Sequence, residues 1–264
     1  MRQKIYQVDA FTDTVFAGNP AAVCPLDSWP ESSLLQNIAL ENNLSETAFY
    51  VRTDESYEIR WFTPSCEVDL CGHATLATAY VLFNFENHKG TSINFKTLNS
   101  GDLKVSLSGR LLTLDFPADE LKKTEITASL RSCFNIEPES IYRGKTDYLF
   151  IYNNQKDIES IVPDLRNINT IDCRGIIITA PGNDCDFVSR FFGPQSGVDE
   201  DPVTGSAHTS LTPYWSERLN KKELTAVQLS ARKGYLKCRN NGKRIEISGT
   251  CRLYMTGELF LNHK

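Results

Sequence analysis

Two segments of the sequence combine a glycine with side chains that can move protons. The first, Leu70-Cys71-Gly72-His73-Ala74-Thr75, places a thiol and an imidazole on either side of its glycine. The second, Asp201-Pro202-Val203-Thr204-Gly205-Ser206-Ala207-His208, places a carboxylate and hydroxyls around its glycine. Each glycine follows an aromatic run and a proline-containing loop, and precedes a stretch that is typical of a helix. Because backbone N–H groups at a helix start carry the positive end of the dipole, each segment could hold a carboxylate or a developing oxyanion.

Glu46 is the first candidate for proton transfer. It lies in Asn42-Asn43-Leu44-Ser45-Glu46-Thr47-Ala48-Phe49-Tyr50, where a predicted helix ends and an apolar strand begins. Such a position would half-bury the carboxylate, and burial raises the pKa of a carboxyl group. That suits a group that accepts a proton and then returns it. The alternative interpretation is a surface glutamate in a turn.

Three further polar residues stand beside the two glycines. His73 follows Gly72, where it is either a catalytic group or a hydrogen-bonded structural residue. Asp201 is either part of a solvated acidic loop or, because Pro202 restricts its backbone, a carboxylate aimed into a site. Ser206 has no obvious base beside it and is interpreted as a ligand-binding hydroxyl rather than a nucleophile.

Metal and thiol chemistry are the main rivals of this interpretation. Cys66, Cys71 and His73 match none of the usual zinc spacings, so we expect no structural metal. Cys71 stands where a cofactor-free racemase would carry a thiol acid/base, but such a reaction needs two thiols and Thr204 occupies the equivalent point of the second segment. The sequence also lacks the dinucleotide, P-loop and nucleophile-elbow motifs.

The composition is that of a globular protein and argues against several partners. The chain has 264 residues, of which 41% are hydrophobic and 23% are charged. Its 28 basic and 33 acidic residues give a formal net charge of -5, which argues against nucleic acid and anionic membranes as partners. No apolar run is long enough to span a bilayer, and we expect a cytoplasmic protein. Its eight scattered cysteines favour free thiols.

The pattern of elements predicts an α+β fold built from two similar halves. Mostly antiparallel strands alternate with one long helix per half, and these helices are predicted to begin at Gly72 and Gly205. Further helical patterns cover Pro30 to Asn42 and Asp157 to Leu165. We place the halves at 1–118 and 119–264, with the option that the last strand packs back on the first half.

Four ordered motifs make the chain resemble the PhzF-type, phenazine biosynthesis-like isomerase family. They are Val8-Asp9-Ala10-Phe11 with Phe16-Ala17-Gly18-Asn19-Pro20, then Leu44-Ser45-Glu46-Thr47-Ala48-Phe49, and then the two glycine segments described above. The resemblance extends over nearly the whole length. It implies the fold of diaminopimelate epimerase: two pseudo-symmetric halves, each a curled, mostly antiparallel sheet around a central helix, with the site between them.

The resemblance also implies roles for individual residues. Glu46 matches the family's proton-transferring carboxylate, and His73, Asp201 and Ser206 match polar residues that hold the substrate and assist the proton. Asn19, Gly72 and Gly205 match substrate-binding positions. The implied protein is a biosynthetic isomerase that needs no cofactor and no metal, acts on a small carboxylic acid and is compatible with a homodimer. A Cys71-dependent racemase or epimerase and a non-catalytic ligand-binding protein of the same fold remain the alternatives.

Overall fold

The computed structural model describes residues 2–261, which form two compact units. The first unit contains the residues up to Asp115 and those from Ser248 onward, and the second contains Phe116–Ile247. The last strand of the chain pairs with the first strand and belongs to the first unit.

The first unit is a sheet with two long helices. Its strands are β1 (Arg2–Ala10), β2 (Asn19–Leu26), β3 (Glu46–Arg52), β4 (Tyr57–Phe62), β5 (Glu67–Val68), β6 (Ser92–Lys96), β7 (Asp102–Ser108), β8 (Leu111–Pro117), which begins here, and β18 (Cys251–Phe260). Its helices are α1 (Ser32–Asn42) and α2 (Gly72–Asn84). Ten of the thirteen residues of α2 are buried, which is the pattern of a helix enclosed on all sides. It packs against β1, β2, β3 and β18, as expected for a central helix.

The second unit has the same kinds of elements with more short helices. Its strands are β9 (Lys122–Thr124), β10 (Ser140–Arg143), β11 (Asp147–Ile151), β12 (Gly175–Pro181), β13 (Phe187–Gly193), β14 (Val198–Asp201), β15 (Glu223–Gln228), β16 (Gly234–Asn240) and β17 (Arg244–Gly249), which begins here. Its helices are α3 (Ala128–Arg131), α4 (Gln155–Ser160), α5 (Leu165–Ile168), a 3-10 turn (Pro194–Ser196) and α6 (His208–Leu219). Its core is aromatic and branched-aliphatic, with Phe150, Ile176 and Phe192 fully buried.

One order of strand pairing occurs in both units. In the first, β1 is antiparallel to β2, β2 parallel to β3, β3 antiparallel to β4, β4 parallel to β6, and β6 antiparallel to β7. In the second, β10, β11, β12, β13, β15 and β16 repeat these relationships in the same order. The short strands β5 and β14 pair with β4 and β13, and each immediately precedes the segment that leads into α2 or α6. The α+β fold with two similar halves is therefore confirmed.

Two of the predicted helices differ from those observed. The pattern from Asp157 to Leu165 is interrupted after α4, because Pro163 lacks a backbone donor and forms a bridge with Phe134 before α5 begins. The prediction that the helix of the second half begins at Gly205 is also wrong. Ala207 and His208 donate backbone hydrogen bonds to residues three positions earlier, so a tight turn precedes α6.

Within residues 2–261, no helix combines the length and the apolar character that crossing a membrane requires.

Candidate active site

The imidazole of His73 links several of the predicted site residues in the first unit. Its Nε2 lies 3.2 Å from Oε2 of Glu46, and its Nδ1 lies 3.2 Å from the amide nitrogen of Asn19. His73 is only 4% exposed. Because the Asn19 amide donates to Nδ1, the ring proton of neutral His73 belongs on Nε2, facing the Glu46 carboxylate. The imidazole therefore connects a buried amide to a carboxylate.

Asn19 reaches His73 because a glycine precedes it. Gly18 has a φ of +65°, and a Cβ at this position would lie 2.1 Å from the carbonyl oxygen of Ala10. A side chain there would be blocked by backbone as well as strained by its φ. The turn lets the chain reverse from β1 into β2, whose first residue is Asn19. The amide side chain is thereby buried completely beside the imidazole.

Glu46 is positioned by the end of α1 and the start of β3. The helix ends at Asn42, and Asn43 adopts the left-handed conformation while its N–H caps the carbonyl of Ala39. Glu46 then begins β3, paired in parallel register with Ala21 of β2. Its side chain is 16% exposed, which agrees with the expectation of a half-buried carboxylate rather than a surface turn residue.

Cys71 caps the amino end of α2 with an extended backbone. The amide and the hydroxyl of Thr75 both donate to the Cys71 carbonyl, at 3.1 and 2.6 Å, which fixes the first turn of the helix. The Cys71 sulfur lies 3.5 Å from Nδ1 of His73. Gly72 is the first helical residue, as predicted, and the thiol and imidazole stand at the helix start on either side of it.

In the second unit, a hydrogen-bonded network surrounds Asp201. The Thr204 hydroxyl donates to Oδ2 of Asp201 at 2.6 Å. The fully buried Gln228 accepts from the Thr204 backbone N–H and donates to the Asp201 carbonyl, each at 2.8 Å. The Gln228 side chain thereby connects Asp201 to Thr204, the two ends of the short loop beside the carboxylate.

Ser206 contacts an arginine that the sequence analysis did not identify. Arg174 donates from Nη1 to the Ser206 hydroxyl at 2.8 Å, and from Nε and Nη2 to the two carboxylate oxygens of Asp147. Asp147 is buried, and the Arg174 guanidinium also lies over the ring of Phe191. Since a guanidinium only donates, the Ser206 hydroxyl accepts from it and can direct its own hydrogen elsewhere.

His208 has the hydrogen-bonded structural role that was the alternative considered for His73. It is fully buried, and burial lowers its pKa to about 4, so the ring is neutral at pH 7. Its Nδ1 lies 2.9 Å from the Thr204 carbonyl oxygen and donates to it. Its ring packs near Phe187, which stacks on Trp215.

The predicted site residues thus form one group in each unit. Asn19, Glu46, Gly72 and His73 come together in the first, while Asp201, Gly205 and Ser206 lie on one loop of the second. No motif in the sequence predicts a role for Arg174, Asp147 or Gln228. They come from strands or loops far from the motifs, and none carries a local pattern that would have identified it. No disulfide links any of the eight cysteines, all of which lie within residues 2–261.

The chain is similar to known proteins over nearly its whole length. The family described as phenazine biosynthesis-like protein matches residues 8–257. An uncharacterized isomerase of Pseudomonas aeruginosa is 50% identical over 261 residues, covering 99% of this chain and all of that protein. The crystal structure of a PhzF family protein from Enterococcus faecalis is 44% identical with a TM-score of 0.95, covering 99% of this chain and 100% of that one.

A more distant structure is similar in fold alone. A probable proline racemase from Agrobacterium radiobacter has a TM-score of 0.69 at 8% identity, covering 98% of this chain and 93% of that one. The fold is therefore shared with the racemase and epimerase group. The chain itself belongs to the phenazine biosynthesis-like, or PhzF, family.

Proposed function

We propose that the protein is a cofactor-independent isomerase that moves a proton between two carbons of a small carboxylic acid, with Glu46 as the single acid/base. The observation that carries this proposal is the 3.2 Å contact between Oε2 of Glu46 and Nε2 of His73 beside the start of α2. This contact brings a half-buried carboxylate close to a polar partner at the start of a helix. The relatives named isomerases support the same class of reaction.

The proposed reaction begins when the Glu46 carboxylate removes a proton from a saturated carbon adjacent to the unsaturated system that includes the substrate carboxylate. The electron pair left behind spreads onto the substrate oxygens, where N–H groups around Gly72 and His73 stabilise the negative charge. The protonated Glu46 then delivers a proton to the other end of the conjugated system. Nε2 of His73 lies 3.2 Å from the Glu46 carboxylate, close enough for electrostatic attraction while the carboxylate is ionised.

The residues of the second unit have proposed roles in binding the same substrate. Asp201, fixed by Thr204 and Gln228, would hold a polar group of the substrate and assist the proton. The Ser206 hydroxyl accepts from Arg174 and would donate its own hydrogen to a substrate oxygen. Backbone N–H groups around Gly205 and Ser206 would bind the substrate carboxylate.

A racemase or epimerase that uses Cys71 is the second candidate function. It is favoured by the 3.5 Å contact between the thiol and His73, which resembles an activated cysteine. Two-base racemisation also needs an acid/base on the opposite face of the carbon. Thr204 cannot form a thiolate, and its hydroxyl is already engaged with Asp201.

Replacement of Glu46 by glutamine tests the proposal. Enzyme is incubated in heavy water with a panel of small unsaturated and hydroxylated carboxylates, and products and deuterium incorporation are followed by NMR. On any substrate that responds, Glu46→Gln should reduce turnover by at least roughly 100-fold, while ligand binding largely survives. Glu55→Gln, an exposed residue in the β3–β4 turn, is the matched control.

Cys71→Ala separates the two candidate functions in the same assay. The isomerase proposal expects a mild effect, and the racemase alternative expects a loss as large as that of Glu46→Gln. A fully active Glu46→Gln enzyme would exclude the one-base mechanism.

A further inference from the structure

Three side chains of different chemistry converge at the amino end of α2. Glu46, Cys71 and His73 each offer one potential ligand atom, and the three atoms lie within 4.8 Å of one another. The residues come from the start of β3 and from the first turn of α2, which are far apart in sequence. A carboxylate oxygen, an imidazole nitrogen and a thiolate sulfur are the three kinds of ligand that zinc accepts.

Two of the three separations can be compared with those of a tetrahedral site, although they involve opposite nitrogens of the His73 ring. With ordinary zinc–ligand distances, a tetrahedral angle separates sulfur from nitrogen by about 3.6 Å and nitrogen from oxygen by about 3.4 Å. The Cys71 sulfur lies 3.5 Å from one His73 nitrogen, and the Glu46 oxygen lies 3.2 Å from the other. Because a single ring nitrogen would bind the cation, binding requires the imidazole or the Glu46 side chain to rotate until the sulfur and the carboxylate oxygen face the same nitrogen. If that nitrogen is Nδ1, its hydrogen bond with Asn19 is lost on binding.

The charge and burial of the cluster fit a divalent cation. A thiolate and a carboxylate together neutralise two positive charges, so the bound cation would present no net charge to the positive end of α2. Cys71 and His73 are nearly buried, at 6% and 4% exposure, which excludes most competing water. Glu46 is more exposed, so the cluster remains open on one side for entry and for a fourth ligand.

We propose that Glu46, Cys71 and His73 form a binding site for a thiophilic divalent cation of the zinc type. Sequence spacing alone groups Cys66 with Cys71 and His73, because the third ligand, Glu46, is supplied by another strand. Binding releases the thiol proton and occupies the Glu46 oxygen. If Glu46 is also the acid/base of the proposed isomerase, the cation would inhibit the reaction; that consequence alone rests on the proposed function.

The test measures metal binding directly and needs no substrate. Protein freed of metal with a chelator and kept reduced with a phosphine is titrated with Zn²⁺ against a chromophoric chelator, and separately with Co²⁺. We expect one equivalent of bound Zn²⁺. The Co²⁺ form should show thiolate-to-metal charge transfer in the near ultraviolet together with intense tetrahedral bands in the visible.

Three variants assign the ligands. Cys71→Ala should lose the charge-transfer band and the stoichiometric site. Glu46→Gln should weaken Zn²⁺ binding by at least about tenfold, the lower end of the loss caused by removing even an outer partner of a metal site. Cys66→Ala removes an exposed thiol from the neighbouring loop and should leave binding unchanged. Circular dichroism and thermal unfolding without metal verify that each variant is folded.

The proposal is overturned if the wild-type protein binds no equivalent of Zn²⁺, or if Cys71→Ala retains the same band and affinity. Equal loss in Cys66→Ala and Cys71→Ala would place the cation elsewhere and would also overturn it. None of these outcomes depends on turnover. The metal site and the isomerase can therefore fail separately.

Discussion

The Thr204 hydroxyl donates a 2.6 Å hydrogen bond to Oδ2 of Asp201. In the first unit, the residue before the corresponding glycine is Cys71, whose sulfur contacts His73 instead. The residue before the glycine therefore interacts in each unit with a polar residue proposed for the site, but with different chemistry. A hydroxyl that orients a carboxylate stands where a two-base racemase would need a second thiol.

Substitutions at Thr204 and Asp201 should have separable effects. Thr204→Val removes the hydroxyl that hydrogen-bonds Asp201 and Gln228. We therefore expect a loss of about 1–3 kcal/mol in the free energy of unfolding. Thr204→Ser keeps the hydroxyl and should recover most of that loss. Denaturant titration of the three proteins measures the difference, and equal stability of the Val and wild-type proteins would contradict the role given to this hydrogen bond.

Asp201→Asn should instead affect the reaction more than the fold. The asparagine carbonyl oxygen can still accept from Thr204, so stability should change little, whereas the exchangeable carboxyl group is lost. On a substrate that responds in the heavy-water assay, we expect turnover to fall by roughly 10- to 100-fold. An Asp201→Asn enzyme with unchanged turnover would remove this residue from the proposed catalytic group.

Arg174 and Asp147 should behave as a coupled pair. Asp147 is 4% exposed, and Arg174 donates to both of its carboxylate oxygens. Removing either partner leaves a charge without its counterion, so we expect Arg174→Ala or Asp147→Ala to cost about 3 kcal/mol of unfolding free energy. The double variant should lose less than the sum of the two. Additive losses in this double-mutant cycle would show that the pair is not coupled.

The sequence motifs identified the candidate residues around Gly72 and Glu46, but they did not predict which of these side chains contact one another. The run into Cys71-Gly72-His73 predicted a helix start, and α2 begins at Gly72. The contact of Glu46 with His73 depends on the parallel pairing of β2 with β3, which places Glu46 opposite Ala21, two residues after Asn19. Register of this kind depends on tertiary packing and has no local signature.

The second unit shows where local patterns fail. Gly205 resembles Gly72 in sequence, yet α6 begins only at His208. The side chain of Gln228 accepts from the Thr204 N–H and thereby holds the preceding turn in place, a contact across 24 positions that no local rule contains. Arg174 was missed for the same reason, since its partners Asp147 and Ser206 lie 27 and 32 positions away.

Gly18 should tolerate alanine worse than another glycine of similar backbone conformation. Gly101 has a φ of +70°, and a Cβ there would meet no atom within 4 Å, so Gly101→Ala should cost only the roughly 1–2 kcal/mol of left-handed strain. At Gly18 the added carbon would lie 2.1 Å from the Ala10 carbonyl oxygen and 2.8 Å from Thr12. We therefore expect Gly18→Ala to lose clearly more stability than Gly101→Ala in denaturant titrations, and to weaken the contact of Asn19 with His73. Equal losses would show that the β1–β2 turn relaxes around the new side chain.

His208 should make the stability of the protein depend on pH in the mildly acid range. Burial lowers its folded-state pKa to about 4 from the ordinary histidine value of 6.5, so the unfolded chain binds more protons between these two values. The contribution of His208 is therefore fully present above about pH 6.5 and is lost progressively as the pH falls toward 4. At about 1.4 kcal/mol per pKa unit, the loss should amount to a few kcal/mol.

The matched variant for this effect is His208→Asn, whose amide can replace the Nδ1 donor to the Thr204 carbonyl but does not titrate. Urea titrations between pH 4 and pH 7 should show a shallower fall in the unfolding free energy for His208→Asn than for the wild type, whatever the stability of the variant at pH 7. The difference between the two slopes isolates this histidine, because the other titrating groups are common to both proteins. Parallel curves would mean that His208 takes up its proton in the folded state as readily as in the unfolded chain.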